Sequence, residues 1–214
     1  MTVVRVKICG ITRVEDGRRA AELGADAIGL VFYAHSPRHV SVEQAAAIAA
    51  ALPPFVSKVG LFVDAEEAEI RHVLARVPLD YLQFHGDEPP EFCTRFARPF
   101  LKVLRMRAGR DVIDYAARYP AATGLLLDAY RQGVPGGTGE TFDWARIPRD
   151  LPLPLVLAGG LTPDNVAAAV REVQPWAVDV SGGVEASPGV KDAGKMAAFI
   201  RAAKAAQTQP DGNA

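Results

Sequence analysis

Residues 154–183 read PLVLAGGLTPDNVAAAVREVQPWAVDVSGG. The first run, PLVLAG (154–159), is apolar at successive positions, has the length of a strand and ends in glycines. Thr162-Pro163 follows, an N-cap residue with proline at the first helical position, and the pattern continues as helix over 163–173. A second apolar run, AVDVSG (177–182), closes the unit and again meets glycines. Strand, helix and strand in roughly 30 residues is the size of one βαβ unit. Runs apolar at both parities belong to strands covered on both faces, as in a parallel sheet.

The same alternation extends toward the N-terminus. Strand-length runs recur at VRVKIC (4–9), AIGLVF (27–32), KVGLFV (58–63), YLQFH (81–85), LKVLRM (101–106) and GLLLDA (124–129). Helical patterns lie between them. Thr12-Arg13-Val14-Glu15 and Ser41-Val42-Glu43-Gln44 each have the form of a capping box. Residues 42–52 are strong helix formers, and 66–77 place Ile70, Val73, Leu74 and Val77 on one stripe. Shorter helices are expected at 90–98, 110–119 and 143–147, and a final one at 191–206. Eight strands alternating with eight helices predict a single α/β domain, a (β/α)8 TIM barrel over residues 1–206. The polar tail 207–214 is expected to be disordered. A doubly wound open sheet would carry its glycine fingerprint after the first strand, where this chain has CGIT (9–12).

Composition excludes several classes. The 214 residues carry 24 Lys+Arg against 25 Asp+Glu, a net charge of -1, which argues against nucleic acid or an anionic membrane as partner. Cys9 and Cys93 are too few for a disulfide scaffold and lack zinc spacing, so a cytoplasmic location is expected. No signal-peptide core or bilayer-length apolar run is present.

Barrel active sites form at the carboxyl ends of the strands, and the unusual residues cluster there. Gly159-Gly160 and Ser181-Gly182-Gly183 end strands seven and eight. Glycine lets backbone N–H groups approach an anion, and a following helix N-terminus adds partial positive charge, so these turns favour a phosphorylated ligand over simple tight turns. Cys9 is either an inert small hydrophobe or, as a thiolate, a general base if nearby positive charge lowers its pKa. Asp128 follows three leucines; it is a candidate general acid, the alternative being a carboxylate held by loop N–H groups. Arg38, in Ser-Pro-Arg-His, is either a carboxylate clamp or a solvated loop arginine. His85 fits acid–base work and an orienting hydrogen bond equally, and Gln83 shares its strand end. Lys7 and Asp179 would point into the barrel from neighbouring strands and are expected to pair. His35, His39 and His72 read as polar loop or surface residues, and Cys93 as buried. No residue set has convincing metal spacing.

These residues sit in segments that resemble the phosphoribosylanthranilate isomerase family: VKICGIT (6–12), GADAIGLVFYAHSPRHVS (24–41), VGLFVD (59–64), LQFHGDE (82–88), LLLDAY (125–130), GGTGETFDW (136–144), LAGGLTPDNV (157–166) and VDVSGGVEASPGVKD (178–192). They span nearly the whole chain in order. The resemblance implies a (β/α)8 isomerase of tryptophan biosynthesis that converts N-(5-phosphoribosyl)anthranilate to 1-(2-carboxyphenylamino)-1-deoxyribulose 5-phosphate by an Amadori rearrangement. It implies Cys9 as general base, Asp128 as general acid, Arg38 as partner of the anthranilate carboxylate, and a phosphate grip of Gly159, Gly160, Ser181, Gly182 and Gly183; Gln83 and His85 are expected to bind the substrate beside them. In that reaction the substrate's own nitrogen is the electron sink, so no metal and no organic cofactor is expected; the expected partner is a small phosphorylated substrate, and the sequence leaves monomer and homodimer open. Two departures stand out: AGG where the family often has Ser-Gly-Gly, and SGG where it often has Ser-Ser-Gly. Each removes a hydroxyl near the expected phosphate.

The competing readings are a non-catalytic phosphate-binding barrel, another aminoaldose phosphate isomerase, and related barrel enzymes. An indole-glycerol-phosphate synthase would need a lysine at a strand end, yet Lys58 and Lys102 lie near strand starts. A ribulose-phosphate epimerase would need metal-binding His and Asp residues at several strand ends.

Overall fold

Strand alternation sorts the apolar runs onto two sides. In GLLLDA, Leu125 and Leu127 pack outward with the helix residues, whereas Leu126 joins Val103, Val156, Ala158 and Ala177 in a separate cluster inside the barrel. The computed structural model describes residues 3–106, 111–129 and 143–206. Its strands are β1 (Arg5–Ile8), β2 (Ala27–Val31), β3 (Ser57–Phe62), β4 (Tyr81–Phe84), β5 (Phe100–Met106), β6 (Gly124–Ala129), β7 (Leu155–Leu157) and β8 (Ala177–Val180). Each pairs in parallel with the next, and β8 closes on β1 through Lys7 opposite Asp179. The chain is a (β/α)8 barrel.

The helices are α1 (Val14–Glu22), α2 (Val42–Ala50), α3 (Glu67–Leu74), α4 (Pro90–Cys93), α5 (Val112–Ala117), α6 (Val166–Val173) and α7 (Ala193–Ala206). Ser41 and Gln44 form the expected capping box on α2. The other expected box is absent. The cap of α1 is Arg13, with no side-chain hydrogen bond, because the Thr12 hydroxyl donates to the Gly189 carbonyl instead. Residues 163–165 are a turn, and α6 starts at Val166, three residues after the expected point. The helix expected at 143–147 is a single 3-10 turn, Trp144–Arg146. The segment expected as helix 90–98 splits into α4 and a 3-10 turn ending before Ala97, whose φ is 49°. A short hairpin that the sequence pattern did not predict, β9 (Glu185–Ser187) with β10 (Val190–Lys191), sits between β8 and α7. The expected tail 207–214 lies outside the described residues.

Lys102 settles one rival. It shares the outward parity of Phe100 and Leu104, and its ammonium donates to the Gly86 carbonyl at 2.9 Å and to Glu88 Oε2 at 2.6 Å. Lys58 pairs with Asp80 at 3.0 Å at the amino end of β3. Neither lysine points into the mouth, so neither fits a strand-end catalytic lysine.

Candidate active site

One cavity at the carboxyl ends of the strands is lined by Cys9, Arg38, Gln83, His85, Asp128, Gly159, Gly160, Ser181, Gly182 and Gly183. All ten residues singled out from the sequence meet there. Closure of the barrel brings them together, since they come from the ends of six strands.

Cys9 follows β1 and is 6% exposed. Its sulfur occupies the space over Gly29, where a Cβ would lie 2.7 Å from Sγ. Below it, Lys7 Nζ meets Asp179 Oδ1 at 2.9 Å, the expected pair. Burial alone would lower the Lys7 pKa, but Asp179 and then Cys9 outweigh it and hold the ammonium above its ordinary value. Burial pushes the Cys9 thiol up, against the pull of Lys7 and Lys191, with Asp179 adding to the rise. Lys7 and Lys191 do pull the thiol down, but desolvation exceeds their attraction and Asp179 cancels part of it, so the balance is upward. Cys93 is fully buried and its thiol is pushed up to about 12, chiefly by burial.

On the β4 and β6 walls, Gln83 Nε2 stands 3.3 Å from His85 Nδ1. Donation there leaves the proton of a neutral imidazole on Nε2. That nitrogen lies 3.3 Å from Asp128 Oδ2, though not aligned as a hydrogen bond. Asp128 shares the inward parity of Leu126, which explains a carboxylate after three leucines. Gln83 Oε1 is buried with no partner. An unpaired buried acceptor facing a cavity is suited to a ligand hydroxyl.

The two glycine turns pack backbone to backbone. A Cβ on Gly183 would lie 2.0 Å from the Leu161 carbonyl oxygen, so only glycine allows the contact. Gly159 and Gly160 have φ of 82° and 65°, the left-handed region. Asn165 pins this turn, accepting from Thr162 N–H at 2.8 Å and donating to the Gly160 carbonyl at 2.9 Å. Gly182–Val184 is a 3-10 turn whose first N–H groups have no partner inside it. Both turns line the cavity with glycine backbone, and an anion gripped by backbone there would not need the two missing hydroxyls.

Arg38 is not a solvated loop arginine. Its Nε and Nη2 donate to Glu185 Oε1 and Oε2, both at 2.8 Å. Glu185 also accepts from Lys191 Nζ at 2.9 Å. Burial alone would push the Glu185 carboxyl up, but Arg38 and then Lys191 outweigh it and hold it at about 2. Glu185, Lys191 and Asn165 were not singled out from sequence, although all three lie in segments that resemble the family. Arg105 was also missed; it lies opposite Asp128 in register and donates to the His85 carbonyl at 2.9 Å. Residues 136–142 and Tyr130, part of two resembling segments, lie outside the described residues. Among the described residues, no group of three or more His, Cys, Asp or Glu side chains could hold a metal ion.

Comparison with known proteins adds three findings. The family profile described as "N-(5'phosphoribosyl)anthranilate (PRA) isomerase" matches residues 6–202. A curated relative from Alcanivorax borkumensis, named N-(5'-phosphoribosyl)anthranilate isomerase, is 63% identical over 211 residues, covering 95% of this chain and 97% of its own length. Two solved structures superpose closely. One, of monomers derived from dimeric phosphoribosylanthranilate isomerase of Thermotoga maritima, has 43% identity and a TM-score of 0.84, covering 94% of this chain and 99% of its own. The other, a phosphoribosylanthranilate isomerase in complex with reduced 1-(o-carboxyphenylamino)-1-deoxyribulose 5-phosphate, has 42% identity and a TM-score of 0.81, with the same coverage.

Proposed function

We propose residue roles for a chain that belongs to the N-(5'-phosphoribosyl)anthranilate isomerase family and catalyses that isomerisation in tryptophan biosynthesis. The observation that carries them is the single cavity in which Cys9 and Asp128, from different sides of the mouth, face two glycine turns and a held arginine.

The phosphate of N-(5-phosphoribosyl)anthranilate sits against the backbone of Gly159, Gly160 and Ser181–Gly183. Arg38 takes the aryl carboxylate. Asp128 gives a proton to the furanose oxygen as the C1′–O bond breaks, and the nitrogen lone pair forms the C1′=N iminium. That cation acidifies C2′–H. Cys9 thiolate takes this proton, and the C–H electrons form the enolamine while nitrogen recovers its pair. Tautomerisation then places a ketone at C2′. The substrate nitrogen is the electron sink, so this route invokes neither metal nor organic cofactor. His85 orients Asp128, and Gln83 offers its unpaired oxygen to a sugar hydroxyl. The catalytic unit is the single domain 1–206, and its cytoplasmic setting keeps Cys9 reduced.

Turnover of substrate made in situ, with a chelator present, tests the reaction, and its pH dependence tests the base. Because burial raises the Cys9 pKa, the active thiolate fraction of the free enzyme grows with pH. The expected kcat/KM is still climbing at pH 9, the ordinary thiol value. A plateau below neutrality would exclude Cys9 as the titrating base.

The dimeric Thermotoga maritima relative supports a homodimer for this chain. Phe55, between α2 and β3, is fully exposed with φ of 69°, a costly conformation for a bulky residue. We take this exposed ring as the candidate contact with a second copy. Sedimentation is expected to give a dimer for the wild type and a monomer for Phe55→Asp. A monomeric wild type would exclude this assembly.

A further inference from the structure

We propose that Glu185 is a positioning residue that aims Arg38 at the aryl carboxylate of the substrate and ties that aim to the phosphate turn after β8. The proposal rests on the carboxylate-binding reading of Arg38 given above.

The geometry is that of a clamp. Arg38 presents the Nε/Nη2 edge of its fork to Glu185, with both hydrogen bonds at 2.8 Å. A guanidinium has five N–H donors in one plane, so this edge-on pairing leaves the Nη1 side free. Arg38 lines the cavity, and its stem lies against Gly10, where a Cβ would stand 2.7 Å from Cδ and 2.9 Å from Ser181 Oγ. The stem is thus confined at Gly10 and the fork at Glu185. Only the remaining edge can meet a ligand.

Glu185 is itself held from several sides. Lys191 Nζ donates to its Oε1 at 2.9 Å, and Gly189 N–H to the same oxygen at 3.3 Å. Lys191 Nζ also lies 3.2 Å from the Ser181 carbonyl. Its backbone N–H donates to Asp16 on α1 at 3.0 Å, and Lys195 Nζ takes the Glu185 carbonyl at 2.8 Å. The Glu185 carboxylate therefore joins the loop after β2 to the β9–β10 hairpin, and Lys191 carries the link on to the turn after β8. Arg38 and Lys191 share the one Glu185 carboxylate, so pairing with it does not exhaust the positive charge beside the cavity. Without Glu185, Arg38 and Lys191 would face each other unscreened, and the fork would lose its fixed direction.

The test uses two substrates made in situ from ribose 5-phosphate and an aryl amine: N-(5-phosphoribosyl)anthranilate and N-(5-phosphoribosyl)aniline, which lacks the carboxylate. For Glu185→Gln, KM for the anthranilate substrate is expected to rise about ten-fold with kcat within a few-fold, while KM for the aniline substrate stays unchanged. Glu185→Asp, which keeps the charge, is expected to recover part of the loss. Equal losses on both substrates, or no change in either KM, would overturn the proposal, because a merely structural role ignores the substrate carboxylate. Arg38→Ala runs alongside. If it too fails to distinguish the substrates, the reading of Arg38 falls and takes the proposal with it. If Arg38→Ala distinguishes them and Glu185→Gln does not, only the role of Glu185 falls. Should Glu185→Gln melt below the assay temperature, Glu185→Asp carries the same two-substrate comparison.

Discussion

An Asp128→Asn protein is expected to lose about 10²- to 10⁴-fold in kcat while binding a product analogue nearly as well as the wild type. The amide keeps the size of the carboxyl group but has no proton to give to the ring oxygen. Cys9→Ala is expected to fall by a similar factor, because C2′–H then has no acceptor. The two losses should not add, since both groups serve one reaction coordinate. The measurement is kcat from the fall of substrate fluorescence, beside calorimetric titration with reduced 1-(o-carboxyphenylamino)-1-deoxyribulose 5-phosphate. Loss of binding in step with turnover would make Asp128 a binding residue. Retained turnover in Asp128→Asn would remove it from the acid role, leaving His85, 3.3 Å away, to be tested next.

The largest stability effect is expected at the floor of the site. Lys7 and Asp179 are 4% and 7% exposed, and their charged ends meet at 2.9 Å. Lys7→Met leaves Asp179 as an uncompensated buried carboxylate, and breaking such a pair costs about 3–5 kcal/mol. Urea unfolding should show this as a lowered midpoint with an unchanged slope. The double variant Lys7→Met/Asp179→Leu should regain much of the loss, because neither charge is then stranded. A Lys7→Met midpoint equal to that of the wild type would mean that the pair does not contribute as its burial implies. Cys9 offers a second readout. Lys7 lowers the Cys9 pKa, so its removal should move the rising limb of kcat/KM to still higher pH.

The barrel was legible because its signals are local. Each apolar run is short, continuous and followed by a helix pattern, and a chain written this way must cover both faces of its strands. Glycines 159, 160 and 183 were legible for a related reason. Their backbone angles and close contacts tolerate no side chain, and that demand shows in the residue type itself. Helix starts were less so. Thr12 has the composition of a cap, but a carbonyl brought in by a distant hairpin takes its hydroxyl. The Trp144–Arg146 turn fell short of a helix, and its short pattern carried too little period to tell the two apart.

By itself the sequence determined the parallel alternation, the strand ends that carry Cys9, Arg38 and Asp128, and the glycine turns. Each depends on neighbours along the chain. Tertiary structure alone decided the direction in which the Cys9 pKa moves, because desolvation by surrounding groups outweighs the cations near it. It also decided the partner of Arg38. Glu185 lies 147 residues away, and barrel closure through β8 and β1 brings the two within hydrogen-bonding distance. Ion pairs of that kind leave no periodic or local trace, since the attraction acts through space and is realised only after the fold has set the distance.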